Sequence, residues 1–515
     1  MSKIVRYIIT ACLMIFNINS FSQFAPDPTY GTAGVHIINV DTSTSLFLPD
    51  NKVMIAYPIA MSYPYSSPAF GVRKFNSDGT LDTSFATNGI ATYTAASYKD
   101  RFDVYTVTMQ SDGKIVIAGQ TYQVGGFAYY YNFFVFRFNA DGTKDTNFGT
   151  DGLVKYSLNS TSQFRERFID LAVDASNRIV AVGYTTADVD QKNDAVAFRF
   201  LENGNLDPSF AINGILKLTI ADSDYFNHIY MLSDGAMLLT GTTVSGTSQN
   251  VTLSKINGNG TFDTSFGVGG MSTVNFASGS FAASKLFFNT GNKIMMVGSN
   301  LSDTGSSAAF AQFNSDGSLD TTFSTDGKNI TYIPVFEHYS IGAPFIVQLP
   351  DNKYFIASTT KRNSDSTNNY DFAFARIKED TTLDTSFSSN GVYLNVVTGT
   401  NEFARGLYLQ DDGKPLLLEN SRLRRYVWDL STLSTQNISS NPDVVSVTPN
   451  PFSNKIEITS NSLINKVEVY NIEGRKIKTV NNSYNEIDLS SAEKGIYFVK
   501  VFGENKTNTQ KLIKN

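Results

Sequence analysis

Cysteine is almost missing from this chain, and charge is scarce. Its 515 residues hold one cysteine, Cys12, and one tryptophan, and Asp, Glu, Lys and Arg make up only 17% against about 25% in an ordinary globular protein. Glycine, hydroxyl and amide residues and the aromatics (13%) fill the gap, a balance that suits a β-rich secreted protein and argues against a helical bundle or a coiled coil. With 41 basic against 47 acidic residues the net charge is -6. No basic field attracts phosphate backbones, so nucleic acid is not an expected partner. Beyond the N-terminus no run approaches 18 apolar residues, and no further membrane-spanning helix is expected.

The one cysteine lies in an export signal. Lys3 and Arg6 precede an apolar run over 7–16, and Ser20 and Ser22 take the small-residue positions of a cleavage site before Gln23, so 1–22 reads as a signal peptide. Ile9, Thr10 and Ala11 before Cys12 look like a lipoprotein box, but that box would leave only about five apolar residues upstream, too few for export. Cleavage after Ser22 leaves a chain without thiols, excluding disulfides, thiolate metal sites and a cysteine nucleophile.

Repetition dominates what is present. FNSDGTLDTSFATNG at 75–89 recurs at 138–152, 200–214, 256–270, 313–327 and 377–391, and a half copy, DPTYGTAG, opens the mature chain at 27–34. The aligned aspartates are Asp27, Asp82, Asp145, Asp207, Asp263, Asp320 and Asp384, about 60 residues apart. A second signature lies between them in seven copies, among them DNKVMIA at 50, DGKIVIAG at 112 and DGKPLLLE at 412. Each unit reads as four strands, A to D, which in the second unit cover about 104–109, 114–119, 133–138 and 153–158. Gly or Asn at the A–B turn supplies a positive φ, and continuous apolar runs in B and C predict sheets covered on both faces. This predicts an all-β fold, a seven-bladed β-propeller over 23–433. Because the half copy supplies only a last strand, about 35–40, and the final unit stops after its third, the N-terminal strand is expected to close the ring beside strand C of the last unit.

The repeated Asp-x-x-Phe-x-x-x-Gly needs no ligand: the aspartate caps an Asx-type turn, the aromatic wedges between blades (Phe85, Phe148, Phe210, Phe266, Phe323, Phe387), and the glycine turns left-handed before strand D. Asn76, Asp78 and Asp82 also evoke a calcium loop, but dense acidic ligands and a closing glutamate are lacking. No metal or cofactor is expected. After a polar linker at 434–443, short strands such as KIEITS at 455 and GIYFVKV at 495 predict a small Ig-like sandwich over 444–515.

Both halves resemble known families. The 27–430 region resembles the delta-60 repeat family of β-propellers, carried by FNSDGTLDTSF at 75 and its relatives. PNPF at 449–452, NIEGRKI at 471–477, KGIYFVKV at 494–501 and the closing KLIKN resemble the type A C-terminal sorting domain of the type IX (Por) secretion system of Bacteroidota. That resemblance implies Sec export, passage of the outer membrane with the type IX machinery as partner, and removal of the tail with surface attachment or release. It implies no substrate.

No enzyme motif appears: there is no nucleophile elbow, Walker loop, dinucleotide fingerprint or zinc-protease helix. The mature histidines, His36, His228 and His338, fall in different units. Strand parity puts uniform A–B and C–D turns on one face and variable B–C loops on the other. On that variable face Tyr63, Tyr65, Phe127, Tyr129, Tyr130 and Tyr131 form a candidate aromatic platform for a surface glycan or protein. Arg101, Arg165, Arg167, His228, Glu337, His338, Glu402 and Arg405 could rim the channel, or be ordinary solvated loop charge. A non-catalytic binding or adhesion module is the expected function; a polysaccharide hydrolase or lyase and a purely structural envelope protein are the alternatives.

Overall fold

The computed structural model describes residues 23–514 except 39, 41–43, 60–68, 98–99, 126–127, 159–163, 187–191, 247, 277–279, 290, 303–304, 334–344, 362–369, 389, 396–401, 430–444, 450–451, 461–463, 472–475, 482–485 and 504–506. The proposed signal peptide, Tyr63, Tyr65, Phe127, Glu337 and His338 lie outside the described residues. The chain divides into two compact units, Met1–Leu430 and Ser431–Asn515. Every regular element among the described residues is a strand, and none is a helix long and apolar enough to cross a membrane.

The first unit contains seven sheets. Six are four-stranded antiparallel meanders in chain order. Their second and third strands are rich in β-branched and aromatic residues, and these are buried on both faces: Ile115, Val116, Ile117 and Ala118, like Phe133, Val135 and Phe136, are 0% exposed. Such strands have to be sandwiched between neighbouring sheets. Accordingly, the apolar clusters lie between consecutive sheets. One joins Met54 and Phe70 of the first sheet to Ile117 and Phe136 of the second. Another joins Leu416, Leu418 and Leu423 of the last sheet to Val53, Ile55 and Phe75 of the first. The first strands of successive sheets pack on one another at every step but that from Ser280–Phe288 to Phe345–Gln348, and the last, Ala404–Leu409, packs on the first, Thr44–Phe47.

The seventh sheet is a composite. Its third chain-order strand, Arg422–Asp429, pairs with two N-terminal strands in tandem. Val35–Ile37 pairs through Val35↔Arg424 to Ile37↔Arg422, as expected from the half copy. Gln23–Pro26 then continues along it, Phe24 opposite Trp428, a strand that was not expected. Phe24 explains the second strand. It stacks on Tyr426 at 4.6 Å and meets Phe355, Phe374 and Phe387 edge-on at 5.1–5.4 Å, filling the cluster between the sixth and seventh sheets.

Within each unit the A–B turns carry the expected left-handed residues, for example Asn51 (φ 61°), Gly113 (84°) and Asn352 (64°). A bulge interrupts the first strand in five units, as between Val104 and Thr106 or Phe168 and Asp170. In four of these units the second strand carries glycine opposite the bulge, as a Cβ on Gly183 would stand 1.9 Å from the Arg167 carbonyl oxygen, whereas the seventh sheet has Glu419 there.

The second unit has a three-stranded and a four-stranded sheet around one apolar core that includes Ile456, Val467, Val499 and Leu512. KIEITS and KIKTV form strands Lys455–Ser460 and Lys476–Val480, and the closing residues form Thr507–Lys514.

Candidate functional site

The repeated aspartates build a clasp at the turn end of each sheet. In every copy Oδ1 accepts from the residue two positions on, as in Thr29 N–H and hydroxyl to Asp27 at 2.9 and 2.6 Å or Ser209 to Asp207 at 2.9 and 2.6 Å. Oδ2 takes a donor eight residues back on the third strand. This is Lys74 for Asp82, Arg137 for Asp145, Arg199 for Asp207, Lys255 for Asp263, Gln312 for Asp320 and Arg376 for Asp384. A second cation comes from the A–B hairpin in most units, such as Lys52, Lys114, Arg178, Lys293 and Lys353. The arginines also lie over the following aromatic: Arg137 is 4.4 Å from the Phe148 ring centre and Arg199 4.7 Å from that of Phe210. Phe85, Phe148, Phe210, Phe266 and Phe387 are buried, and Phe323 is partly so.

Hydrogen bonds hold Asp82 and Asp384 ionised. The Ser84 hydroxyl leads in lowering Asp82 to about 2. At Asp384 burial works upward, but Ser386 and Arg376 outweigh it and leave about 2. Asp27 shows who completes the last copy. Its partners are Arg425 at 2.8 Å and Lys414 at 3.3 Å, both in the seventh unit, and Arg425 lies 4.6 Å from the Tyr30 ring centre. The clasp engages both carboxylate oxygens of each aspartate in structural bonds.

The variable face differs from its expected form. Tyr129, Tyr130 and Tyr131 are not in a loop: they belong to strand Ala128–Phe138, which pairs with Ile115–Gly125 out to Gly125↔Ala128. QTYQV and AYYYN carry the aromatic content of strands and simply prolong the hairpin. Tyr131 packs on Tyr122 at 5.4 Å, while Tyr130, on the opposite face, is 45% exposed. Further in, the Arg167 guanidinium stacks 4.4 Å from the Tyr105 ring centre and donates to Gln120, which donates to Asp103.

The expected rim residues separate. Arg101 donates to the Asp100 carbonyl and Arg405 to Asn420, and the Arg165 carbonyl accepts from Thr186 N–H. Glu402 is no solvated rim charge: it is 4% exposed and ion-paired to Arg422. It adjoins Glu419, which is fully buried and whose pKa burial drives up to about 7 despite Arg424. His228 is not at the rim either. It sits inside strand Ser223–Met231, because the bulge turns it inward at mid-strand.

His228 belongs to a series that sequence reading missed. The first-strand residue at the same register in each unit is Thr44, Thr106, Asp170, His228, Lys285, Phe345 and Gly406. Thr106, Asp170 and His228 reach one another. Asp170 accepts from the Thr106 hydroxyl at 3.2 Å, from the Ile229 N–H at 3.1 Å and from its own Leu171 N–H at 2.9 Å, and its Oδ2 lies 2.5 Å from His228 Nδ1. Lys285 Nζ reaches the Ile346 carbonyl of the next unit at 3.4 Å. Alignment of the seven copies on the second-strand signature would have exposed this position. Among the described residues no group of three or more His, Cys, Asp or Glu side chains is placed to hold a metal ion.

Six stretches, 48–85, 110–148, 175–210, 232–266, 292–323 and 349–387, match the family described as "Domain of unknown function (DUF5122) beta-propeller", and residues 446–515 match the secretion system C-terminal sorting domain, Por_Secre_tail. The chain is thus a repeat β-propeller protein with a sorting tail. In particular, it carries six DUF5122 repeats followed by a Por sorting domain, which marks it for type IX export to the cell surface or beyond. No curated protein matches it. Among solved structures, streptogramin B lyase aligns with 79% of this chain and 98% of its own at 10% identity and a TM-score of 0.41. Drosophila Semaphorin 2a aligns with 96% and 98% at 7% identity and a TM-score of 0.42. Scores this low carry no argument about activity.

Proposed function

We propose that this protein is a non-catalytic binding module at the cell surface: a seven-bladed propeller, closed by its N-terminal strands, that grips a surface glycan or protein through the Ile115–Gly125 and Ala128–Phe138 hairpin. Its delta-60-type ring follows a Sec signal, and an Ig-like sorting domain is removed after type IX export. The tandem pairing of the N-terminal strands and the Asp27–Arg425 bond support closure. One observation carries the binding reading. The hairpin runs six pairs beyond Gly119↔Phe134, further than any other second–third strand pair among the described residues, and presents Tyr130 45% exposed beside the packed Tyr122–Tyr131 pair. Exposed tyrosine offers an apolar face to a sugar ring and a hydroxyl to polar partners. The Glu402–Glu419 pair, sealed behind Arg422 and Arg424, is out of a polysaccharide's reach, which favours binding over hydrolysis.

The test is a glycan and surface-protein array on the purified chain, followed by replacement of Tyr129, Tyr130 and Tyr131 with alanine. Affinity should fall at least about tenfold, the scale of losing an aromatic anchor, with the melting curve little changed. Undiminished affinity in the variant, or polysaccharide turnover by the wild type, would reject the reading.

A further inference from the structure

At the base of the long hairpin a row of polar and aromatic side chains runs from the second unit to the fourth. Gln120 and Tyr122 lie two residues apart on strand Ile115–Gly125 and therefore on the same face of it. The Gln120 amide donates to Asp103 Oδ2 at 2.7 Å, and its oxygen accepts from Arg167 Nε of the third unit at 3.2 Å. The Arg167 guanidinium stands 4.4 Å from the Tyr105 ring centre and 5.8 Å from that of Tyr184. Tyr184 meets Tyr225 of the fourth unit edge-on at 4.9 Å, and the Tyr225 hydroxyl accepts from Asn193 at 2.6 Å. Above the row on the same strand face, Tyr122 packs on Tyr131 at 5.4 Å.

The repeat does not call for arginine here. The first-strand residue opposite the position after the second-strand glycine is Asp103 in the second unit, Arg167 in the third, Tyr225 in the fourth and Ala282 in the fifth. Elsewhere the ring closes its enclosed arginines with carboxylates, Arg137 on Asp145, Arg199 on Asp207 and Arg424 on Glu419. Arg167 is half-buried, and among the described residues no carboxylate lies within ion-pair distance of it. Its hydrogen bond goes through Nε to a neutral amide. Stacking on the tyrosine occupies the flat face of the guanidinium and leaves the in-plane Nη1 and Nη2 donors for an outside partner, in the fork geometry that fits a carboxylate.

We propose that this row is the acid-reading part of the hairpin's site, and that the ligand is an acidic glycan whose uronic-acid carboxylate is gripped by Arg167. Gln120, itself fixed by Asp103, holds the guanidinium in place, and the Tyr122–Tyr131 pair above it offers ring faces to the neighbouring sugars. The proposal rests on the hairpin reading above and adds the class of ligand.

Calorimetric titration of the full chain at pH 7 with tetragalacturonate and with neutral galactotetraose tests it. The wild type should bind the acid saturably and at least about tenfold more tightly than the neutral tetramer, the scale of one charge-assisted bidentate pair. Arg167→Met should erase that margin, and Arg167→Lys should keep only part of it, because a point charge replaces the fork. Should Arg167→Met fail to fold, the wild-type chain still decides. Bound tetragalacturonate should protect Arg167 from phenylglyoxal, read by mass spectrometry, and leave exposed Arg405 reacting as before. No saturable binding of tetragalacturonate, equal affinity for the two tetramers, an undiminished margin in Arg167→Met or no protection of Arg167 would overturn the proposal. The hairpin reading fails separately. Acid binding that survives alanine at Tyr129, Tyr130 and Tyr131 but not Arg167→Met would remove the hairpin and keep Arg167 as the acid's anchor, whereas tyrosine-dependent binding of galactotetraose with no preference for the acid would keep the hairpin and sink the role of Arg167.

Discussion

The turn-end clasp and the inner-strand series occupy the same seven units and obey opposite rules. At the clasp, Asp27, Asp82, Asp145, Asp207, Asp263, Asp320 and Asp384 make the same capping bond, and six of the seven third-strand donors are cationic. At the inner position the units run from threonine through aspartate, histidine and lysine to phenylalanine and glycine. Where the geometry of a repeat needs a particular bond, the copies converge. Where the backbone fixes no particular bond, the copies are free to differ, and a group such as Asp170 makes bonds that the other units do without.

The largest effect that would break the comparison concerns closure. Deleting 23–42 removes both N-terminal strands, Phe24 and Asp27, and should lower the melting temperature by well over about 10 °C, with aggregation through the bared edge of Arg422–Asp429. Deleting 440–515 should leave the melting of the first unit in place. Monomeric, unchanged melting after the first deletion would refute the composite sheet. Within that strand, Phe24→Ala alone should cost about 3–5 kcal/mol by denaturant titration.

Next come the clasps themselves. Arg137 and Asp145 are 1% and 3% exposed, whereas Lys255 and Asp263 are 23% and 19% exposed. Arg137→Met leaves buried Asp145 with only the Lys114 ammonium at 3.6 Å and should cost about 3 kcal/mol. The matched Lys255→Met should cost under about 1 kcal/mol, because water screens the pair. Equal losses in urea melts would mean that burial does not set the value of a clasp.

The two kinds of carboxyl also differ in sign with pH. Asp27, Asp82 and Asp384 lie near 2, below the ordinary 3.8, so their stabilisation is present above pH 3.8 and is lost as pH falls through about 2. Glu419 lies above its ordinary 4.5, near 7. Its contribution is present below pH 4.5 and is lost as pH rises through about 7. Glu419→Gln should therefore flatten the stability profile between pH 4.5 and 7 by about 2 kcal/mol and leave the acid limb alone. An unaltered slope in the variant would remove Glu419 as its source. The smallest expected effect is that of a chelator. With the repeated aspartates engaged by Ser, Thr, Lys and Arg, EDTA should leave the melting curve where it was, and a drop of several degrees would make those turns ligand sites.

Much of this was legible in the sequence. The register of the repeats, the Gly and Asn turns, the Asx caps and the pairing of Val35–Ile37 with the last unit follow from local patterns. Gln23–Pro26 was not legible, because QFAP is short, contains proline and gains its place only from rings more than 300 residues away. Tyr129 to Tyr131 were taken for loop because hairpin length depends on cross-strand partners that spacing alone does not fix. His228 was placed at the rim and Lys285 overlooked because a bulge shifts the side-chain alternation midway along the first strand. The clasp's cation was in plain view at Lys74, Arg137, Arg199, Lys255 and Arg376, always eight residues before the aspartate, yet it acquires meaning only once the third strand folds beside the turn.

The division between converged and diverged positions is tested most directly by melting Arg137→Met and Lys285→Met side by side at pH 7. Both changes exchange a cation for an apolar side chain, one buried and the other exposed. Arg137→Met should lose about 3 kcal/mol, because buried Asp145 keeps only the longer Lys114 contact at 3.6 Å. Lys285→Met should melt close to the wild-type temperature, since the ammonium removed is solvent-exposed and makes only a long 3.4 Å contact to the Ile346 carbonyl. If Lys285→Met is destabilised as much as Arg137→Met, the inner position is structural after all, and the account fails at its centre.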